Sequence, residues 1–150
     1  MIKTRFEFTA SLREFQNALK ELDDEAVAVA GAGLGLEARK LINASIKQVP
    51  VDKGILKASA TVDGPIVEDK VVSYVVGYGG QAKAYAEAVH DNPRAGKTGG
   101  FSPSGLPYKT WSKVGKWHYL TDPAREQAKS IDRSLGRFIA NFILRRGWPT

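Results

Sequence analysis

Residues 25–40 read EAVAVAGAGLGLEARK: an apolar run, then Gly31, Gly33 and Gly35, then a charged helical pattern. The fold turns on these glycines. A dinucleotide-binding turn would make the chain a nucleotide enzyme, whereas a helix with a small-residue face would make it a packing element. The turn requires G-x-G-x-x-G, for a tight bend, a close pyrophosphate approach and a helix packed on its strand. Here the third glycine arrives one residue early, and Leu36 stands where the motif has glycine. Asp52 lies at roughly the distance of a ribose-binding acid, but it sits inside PVDKG, a turn-like sequence. No succession of βα units follows, so the rest of the chain must support the helix.

Downstream, Leu34, Ala38, Leu41, Ser45 and Val49 recur at helical spacing, and Pro50 is the expected stop. Asp23 or Asp24 can cap the start. Three internal glycines cost about 1 kcal/mol each relative to alanine, so the helix must regain stability by packing. Small residues at Ala28, Ala30, Gly31, Ala32, Gly33 and Gly35 would admit another helix or subunit. Gly31 and Gly35 share one face and Gly33 points nearly opposite. Gly31 and Gly35 are therefore the expected close contacts, with Gly33 left open.

Upstream, Ile2, Thr4, Phe6 and Phe8 alternate with Lys3, Arg5 and Glu7, the period of a half-buried strand. Ser11 and Glu14 have capping-box spacing and open a helix to about Leu22, with Leu12, Phe15 and Leu19 on one face. Beyond the central helix, Pro50, Asp52 and Gly54 form a structural turn. Two β-like runs, 58–67 and 71–79, joined through 68–70, read as a hairpin. Residues 85–90 are short and ambiguous. From 91 to 116 the sequence is rich in Gly, Pro, Ser and Lys without a period, which predicts one long mobile loop. Asp122 and Pro123 then read as N-cap and first residue of a final helix. Its stripe is Ala124, Ala128, Ile131, Leu135, Phe138, Ile139 and Phe142, closing at Arg145, Arg146 and Gly147.

The length of 150 residues fits one domain, 1–150, and 43% hydrophobic residues argue against a wholly disordered chain. The absence of cysteine excludes disulfides, zinc ribbons and thiol catalysis, and it fits a reducing compartment. There is no visible signal peptide and no apolar run of membrane-spanning length. A net charge of +6 suits a nucleic-acid partner or simple solubility.

Two stretches and a pair of histidines approach a catalytic motif and miss it. DNPRAGKT ends like a phosphate-binding loop, but Asp91 holds the first glycine position, where a carboxylate repels phosphate. GFSPSG lacks the nucleophile elbow's second glycine, because Ser104 stands there. His90 and His118, the only histidines, lie in loop-like sequence and make a poor metal site. No catalytic residue, cofactor or metal is expected. Trp111, Trp117 and Trp148 beside lysines could stack on bases, or anchor a loop on a protein partner.

VPVDKGILKAS, residues 49–59, resembles the neck and tail-completion proteins of long-tailed bacteriophages, a family of tail components at the head–tail junction. That family shows a helix, a proline-valine-aspartate-threonine-glycine turn, and a basic segment ending in alanine-serine before a hairpin. Pro50, Val51, Asp52, Gly54, Leu56, Ala58 and Ser59 match, whereas Lys53 and Ile55 depart from the usual threonine and arginine. VVGYGGQAKAYAEAVHD (75–91) and KWHYLTDPARE (116–126) resemble its strand-end tyrosine segment and its lead into the last helix. The resemblance implies an α+β subunit, with two or three helices on a small antiparallel sheet, and places the glycines of residues 31–35 in a helix.

It also implies a structural virion protein, not an enzyme, working as a homo-oligomeric ring with phage connector, head-completion and tail proteins. Genomic DNA would pass through its lumen, and the chain would reside in the host cytoplasm during assembly. Candidate assembly contacts are Gly31, Gly35, Arg94, Lys97, Trp111 and Trp117. The alternative is a basic nucleic-acid-binding module with Arg94, Lys97, Lys109, Lys113 and Lys116 as its phosphate footprint.

Overall fold

The computed structural model describes residues 2–6, 24–51, 53–69, 71–93, 95 and 115–146. The expected helix at 11–22 and most of the expected loop lie outside them. Strand β1 (Ile2–Phe6) precedes helix α1 (Asp24–Ile46), and a short helix α2 (Ile55–Ala58) leads into strands β2 (Ala60–Glu68) and β3 (Val71–Tyr78). A 3-10 turn (Gly80–Ala82) and helix α3 (Ala86–His90) follow, and helices α4 (Thr121–Ala128) and α5 (Ile131–Arg146) close the chain. The fold is α+β, with helices on a small antiparallel sheet, as expected.

The sheet order is β1-β3-β2, with both outer strands antiparallel to β3. Tyr78 stands opposite Ile2 and Ala60, and Val75 stands opposite Arg5 and Asp63. A bulge interrupts β2 between Asp63 and Ile66, where the Gly64–Pro65 peptide is cis. Proline has no N–H for a ladder, so its place is on an edge strand. Ala60 and Val62 are half-buried, and every described residue from Asp63 to Asp69 is exposed. The hairpin thus runs past the helix that covers it.

Helix α1 lies across the sheet. Leu34, Ala38, Leu41, Ile42 and Val49 are buried with Leu56, Val76, Tyr78, Tyr119 and Leu120. Each leucine or isoleucine so buried stabilises the fold by about 1.5–3 kcal/mol. The polar core position Ser45 is satisfied by a 2.6 Å hydrogen bond with the Tyr78 hydroxyl. Burial raises the Tyr78 phenol to about 12, against the opposing pull of that bond.

The glycines occupy α1, so the helix reading of residues 25–40 stands and a phosphate turn does not. Both faces of the helix are occupied, however. A β-carbon on Gly31 would meet Val72 at 3.4 Å, and one on Gly35 would meet the Tyr74 hydroxyl at 2.7 Å. A β-carbon on Gly33 would meet the Phe138 ring at 2.8 Å and Leu135 at 3.3 Å. The expectation that Gly33 faces open space is corrected: α5 covers it, and α1 is held between the sheet and α5.

The final helix is also corrected. It is two helices, because Lys129 N–H and Ser130 N–H bond back only three residues, to Glu126 and Gln127, and end α4. Ser130's carbonyl then accepts from Ser134 N–H to begin α5. Asp122 is not a cap: α4 starts at Thr121 after Leu120, with no side-chain cap bond. Helix α1 likewise stops at Ile46, before Pro50, with Gln48 N–H turning back to the Ser45 carbonyl.

Candidate functional site

Three places collect polar groups, and each begins with a local sequence feature. The first is the joint of α1, α4 and α5. Glu37 lies on α1 one turn from Lys40, and it is buried. Lys40 Nζ and Ser134 Oγ both donate to Glu37 Oε1 at 2.6 Å. Gln127 Nε2 donates to Glu37 Oε2 at 2.7 Å and to the Glu37 carbonyl at 2.8 Å. Burial pushes the carboxyl up, but the hydrogen bonds of Lys40, Ser134 and Gln127 outweigh it and hold Glu37 below its ordinary value.

Beside this joint runs an open groove of about 400 Å³, lined by Leu36, Glu37, Lys40, Arg133, Arg137 and Phe138 among others. Its carboxylate is consumed by three donors, and no nucleophile in the lining stands beside a histidine. Chemically the groove can offer cations to an anion; it has no acid–base pair.

The second place lies where α3 meets the start of α4. His90 Nδ1 is 2.6 Å from Asp91 Oδ1, and His90 Nε2 is 2.8 Å from Thr121 Oγ1. The carboxylate only accepts, so the neutral ring carries its proton on Nδ1 and accepts the Thr121 hydroxyl at Nε2. Carboxylate, imidazole and hydroxyl in series have the connectivity of a hydrolytic triad. The N–H groups that follow Thr121 are not free to act as oxyanion donors. Asp122 N–H is spent on the His118 carbonyl, residue 123 is proline, and Ala124 N–H bonds the Leu120 carbonyl.

The surrounding bonds show what the cluster does instead. His118 N–H donates to the His90 carbonyl at 2.8 Å, and the Tyr119 hydroxyl donates to the Ala86 carbonyl at 2.8 Å. Lys116 N–H donates to the Gln48 carbonyl, and a β-carbon on Gly115 would fall 2.4 Å from Pro50 Cα. The cluster joins the chain at 90–91 to the chain at 115–121. Sequence spacing could not reveal it, because the partners lie 31 residues apart. The adjacent pair His90-Asp91 was the available signal.

From this joint an aromatic series runs outward. Tyr78 meets Tyr119 edge-on at 5.1 Å, Tyr119 meets His90 edge-on at 5.1 Å, and Trp117 stacks on His118 at 3.9 Å. Trp117 ends it at the surface, 38% exposed.

The sheet edges are the third place: β1, IKTRF, carries Lys3 and Arg5, and β2 carries Asp63 and Glu68, followed by Asp69.

The candidate residues fall unevenly on this map. Gly31 and Gly35 are corrected as contacts between subunits, since the chain's own β3 fills their face. Pro50 is buried beneath Gly115, and Gly54, with φ of 79°, itself takes the N-cap position of α2. Asp52, Arg94, Lys97 and Trp111 lie outside the described residues, as do Lys109 and Lys113. Lys116 is held by Asp122 at 2.6 Å, and that hydrogen bond first of all keeps the Asp122 carboxyl below its usual range. Among the described residues no three His, Asp or Glu side chains cluster as a metal site, and no helix is long and apolar enough to cross a membrane.

No protein-family model matches this chain, and no curated protein or solved structure matches it.

Proposed function

We propose that the chain is a structural subunit of a bacteriophage head–tail junction, a neck or tail-completion protein that acts by assembling a homo-oligomeric ring between connector and tail proteins. The observation that carries this reading is the order of elements around VPVDKGILKAS. A long helix, a glycine turn, a basic segment (here the short helix α2), a hairpin and a tyrosine-bearing segment follow one another in the order the resemblance implies, with two closing helices where it implies one. Exposed Trp117, braced on His118, supports it as a rigid anchor for a neighbour. Assembly is the mechanism: surfaces open in the single subunit become buried against its neighbours, with genomic DNA passing through the lumen.

The test is the purified chain, alone and with the connector and tail proteins of its own genome, viewed by negative-stain microscopy. Rings that join connector to tail are the expected result. A persistent monomer that binds duplex DNA saturably, with a steep loss of affinity in salt, would put the basic nucleic-acid module in their place.

A further inference from the structure

Among the described residues β1 and β2 are the outer strands of the sheet, and they are opposites in charge. β1 contains Lys3 and Arg5 and no acid; β2 contains Asp63 and Glu68 and no base. Their register is matched as well. Arg5 and Asp63 both stand opposite Val75, so they occupy one row of the sheet, at its two ends. Ile2 and Ala60 share the Tyr78 row, Lys3 and Thr61 the Gly77 row, and Thr4 and Val62 the Val76 row.

A sheet edge presents unpaired backbone groups and is a template for another strand. We propose that β2 of one copy receives β1 of the next, and that the sheet continues from subunit to subunit. This rests on the ring reading to the extent that the partner is a second copy of the chain.

Strand direction permits this head-to-tail arrangement and charge selects it. β1 and β2 are each antiparallel to β3, hence parallel to one another. Copies related by a rotation about an axis along the strands bring β1 beside β2 in parallel, with rows in register. Asp63 of one copy then stands next to Arg5 of the following one. A two-fold contact would instead pair β2 with β2 or β1 with β1, so that neither edge meets its charge complement. A head-to-tail contact leaves an edge of each kind at the two ends, so it propagates until it closes, which is how rings form.

The segment 60–63 is the half of β2 suited to receive a strand, since the bulge and Pro65 interrupt the remainder. Exposed Ile66, Val67 and Val71, at the far end of the hairpin, add apolar surface beside it.

The experiment is light scattering after size exclusion on the wild type, Asp63→Arg, Arg5→Asp and an equimolar mixture of the two variants, with thermal melts as the folding control. The wild type should self-associate, less strongly as salt rises. Each variant alone should associate about tenfold more weakly or worse, the scale of like charges juxtaposed at an interface. The mixture should associate well above either variant alone, because each variant then supplies the charge the other lacks.

Because the chain has no cysteine, disulfide trapping gives an independent readout. Asp63→Cys with Arg5→Cys in one chain should yield a ladder of linked oligomers, and either alone none. A wild-type oligomer indifferent to both reversals, a mixture that associates no better than either variant, or a dimer from a single cysteine would overturn the edge pairing and leave the ring reading standing. A wild type that stays monomeric at its solubility limit would overturn both.

Discussion

At the scale of single residues, the three glycines of α1 show how far helical geometry carries and where it stops. The period assigns Gly33 to the face opposite Gly31 and Gly35, as observed; what covers each face depends on segments about 40 and 100 residues away. The alanine series should therefore rank differently from the bare helical reading. Gly33→Ala drives a methyl into the Phe138 ring and should destabilise by about 1–3 kcal/mol, as overpacking does. Gly31→Ala meets only ordinary contact with Val72 and should gain up to about 1 kcal/mol from helix propensity. Thermal melts on both variants check the order. Glu37 provides a second prediction at this scale. Its folded carboxyl titrates below the ordinary 4.5, so its stabilisation is complete above that value and is lost as pH falls through the folded one. Glu37→Gln should lower stability at neutral pH by about 1–3 kcal/mol, the cost of hydrogen bonds lost at a buried group. The gap between variant and wild type should shrink below pH 4.5; a constant gap from neutral pH into acid would contradict the charged role.

At the scale of elements, the hairpin was legible as two β-rich runs flanking a polar turn, and α1 from the helical spacing of Leu34, Ala38, Leu41 and Ser45. The α4–α5 break was not, because Ala124, Ala128, Ile131 and Leu135 keep a helical phase straight across it. The overlooked signal was Ser130 before Ile131 and Asp132, a residue type favoured at helix starts followed by a first-turn acid, although the Ser130 hydroxyl itself turns back to the Gln127 carbonyl. The break matters to the joint, since Gln127 approaches Glu37 from one side of it and Ser134 from the other. The meeting of α1's end with the chain at 115–121 was equally hidden. Gly115 has φ of 106° and lies against the backbone of Val49 and Pro50, so alanine there is strained and blocked at once. Gly115→Ala should cost more than Gly33→Ala, at least about 3 kcal/mol when strain and overpacking combine. Chemical denaturation of the two variants side by side measures the difference.

At the scale of the whole molecule, what the sequence hid is what ties distant parts together: Glu37 to α4 and α5, His90 to Thr121, Gln48 to Lys116. Such pairs leave no periodic trace, because each depends on a fold that only the assembled elements create. The candidate assembly residues were hard to read for the same reason. Small side chains mark close approach, and at Gly31 and Gly35 that approach is made by the chain's own sheet. The clamp at His90 and His118 has a further consequence. With the His118 N–H on the His90 carbonyl, the chain departs and re-enters through a single doorway, whatever lies between. Such a doorway is an insertion port. Residues 96–114 should be exchangeable for a short glycine-serine linker, or for a foreign peptide, with the melting temperature of the body nearly unchanged. The entropy of closing a loop grows only by about 0.6 kcal/mol for each doubling of its length. A collapse of the melt on exchange would show that the body depends on the segment itself. If the body holds, the frame on either side of the doorway is specified without the segment that passes through it.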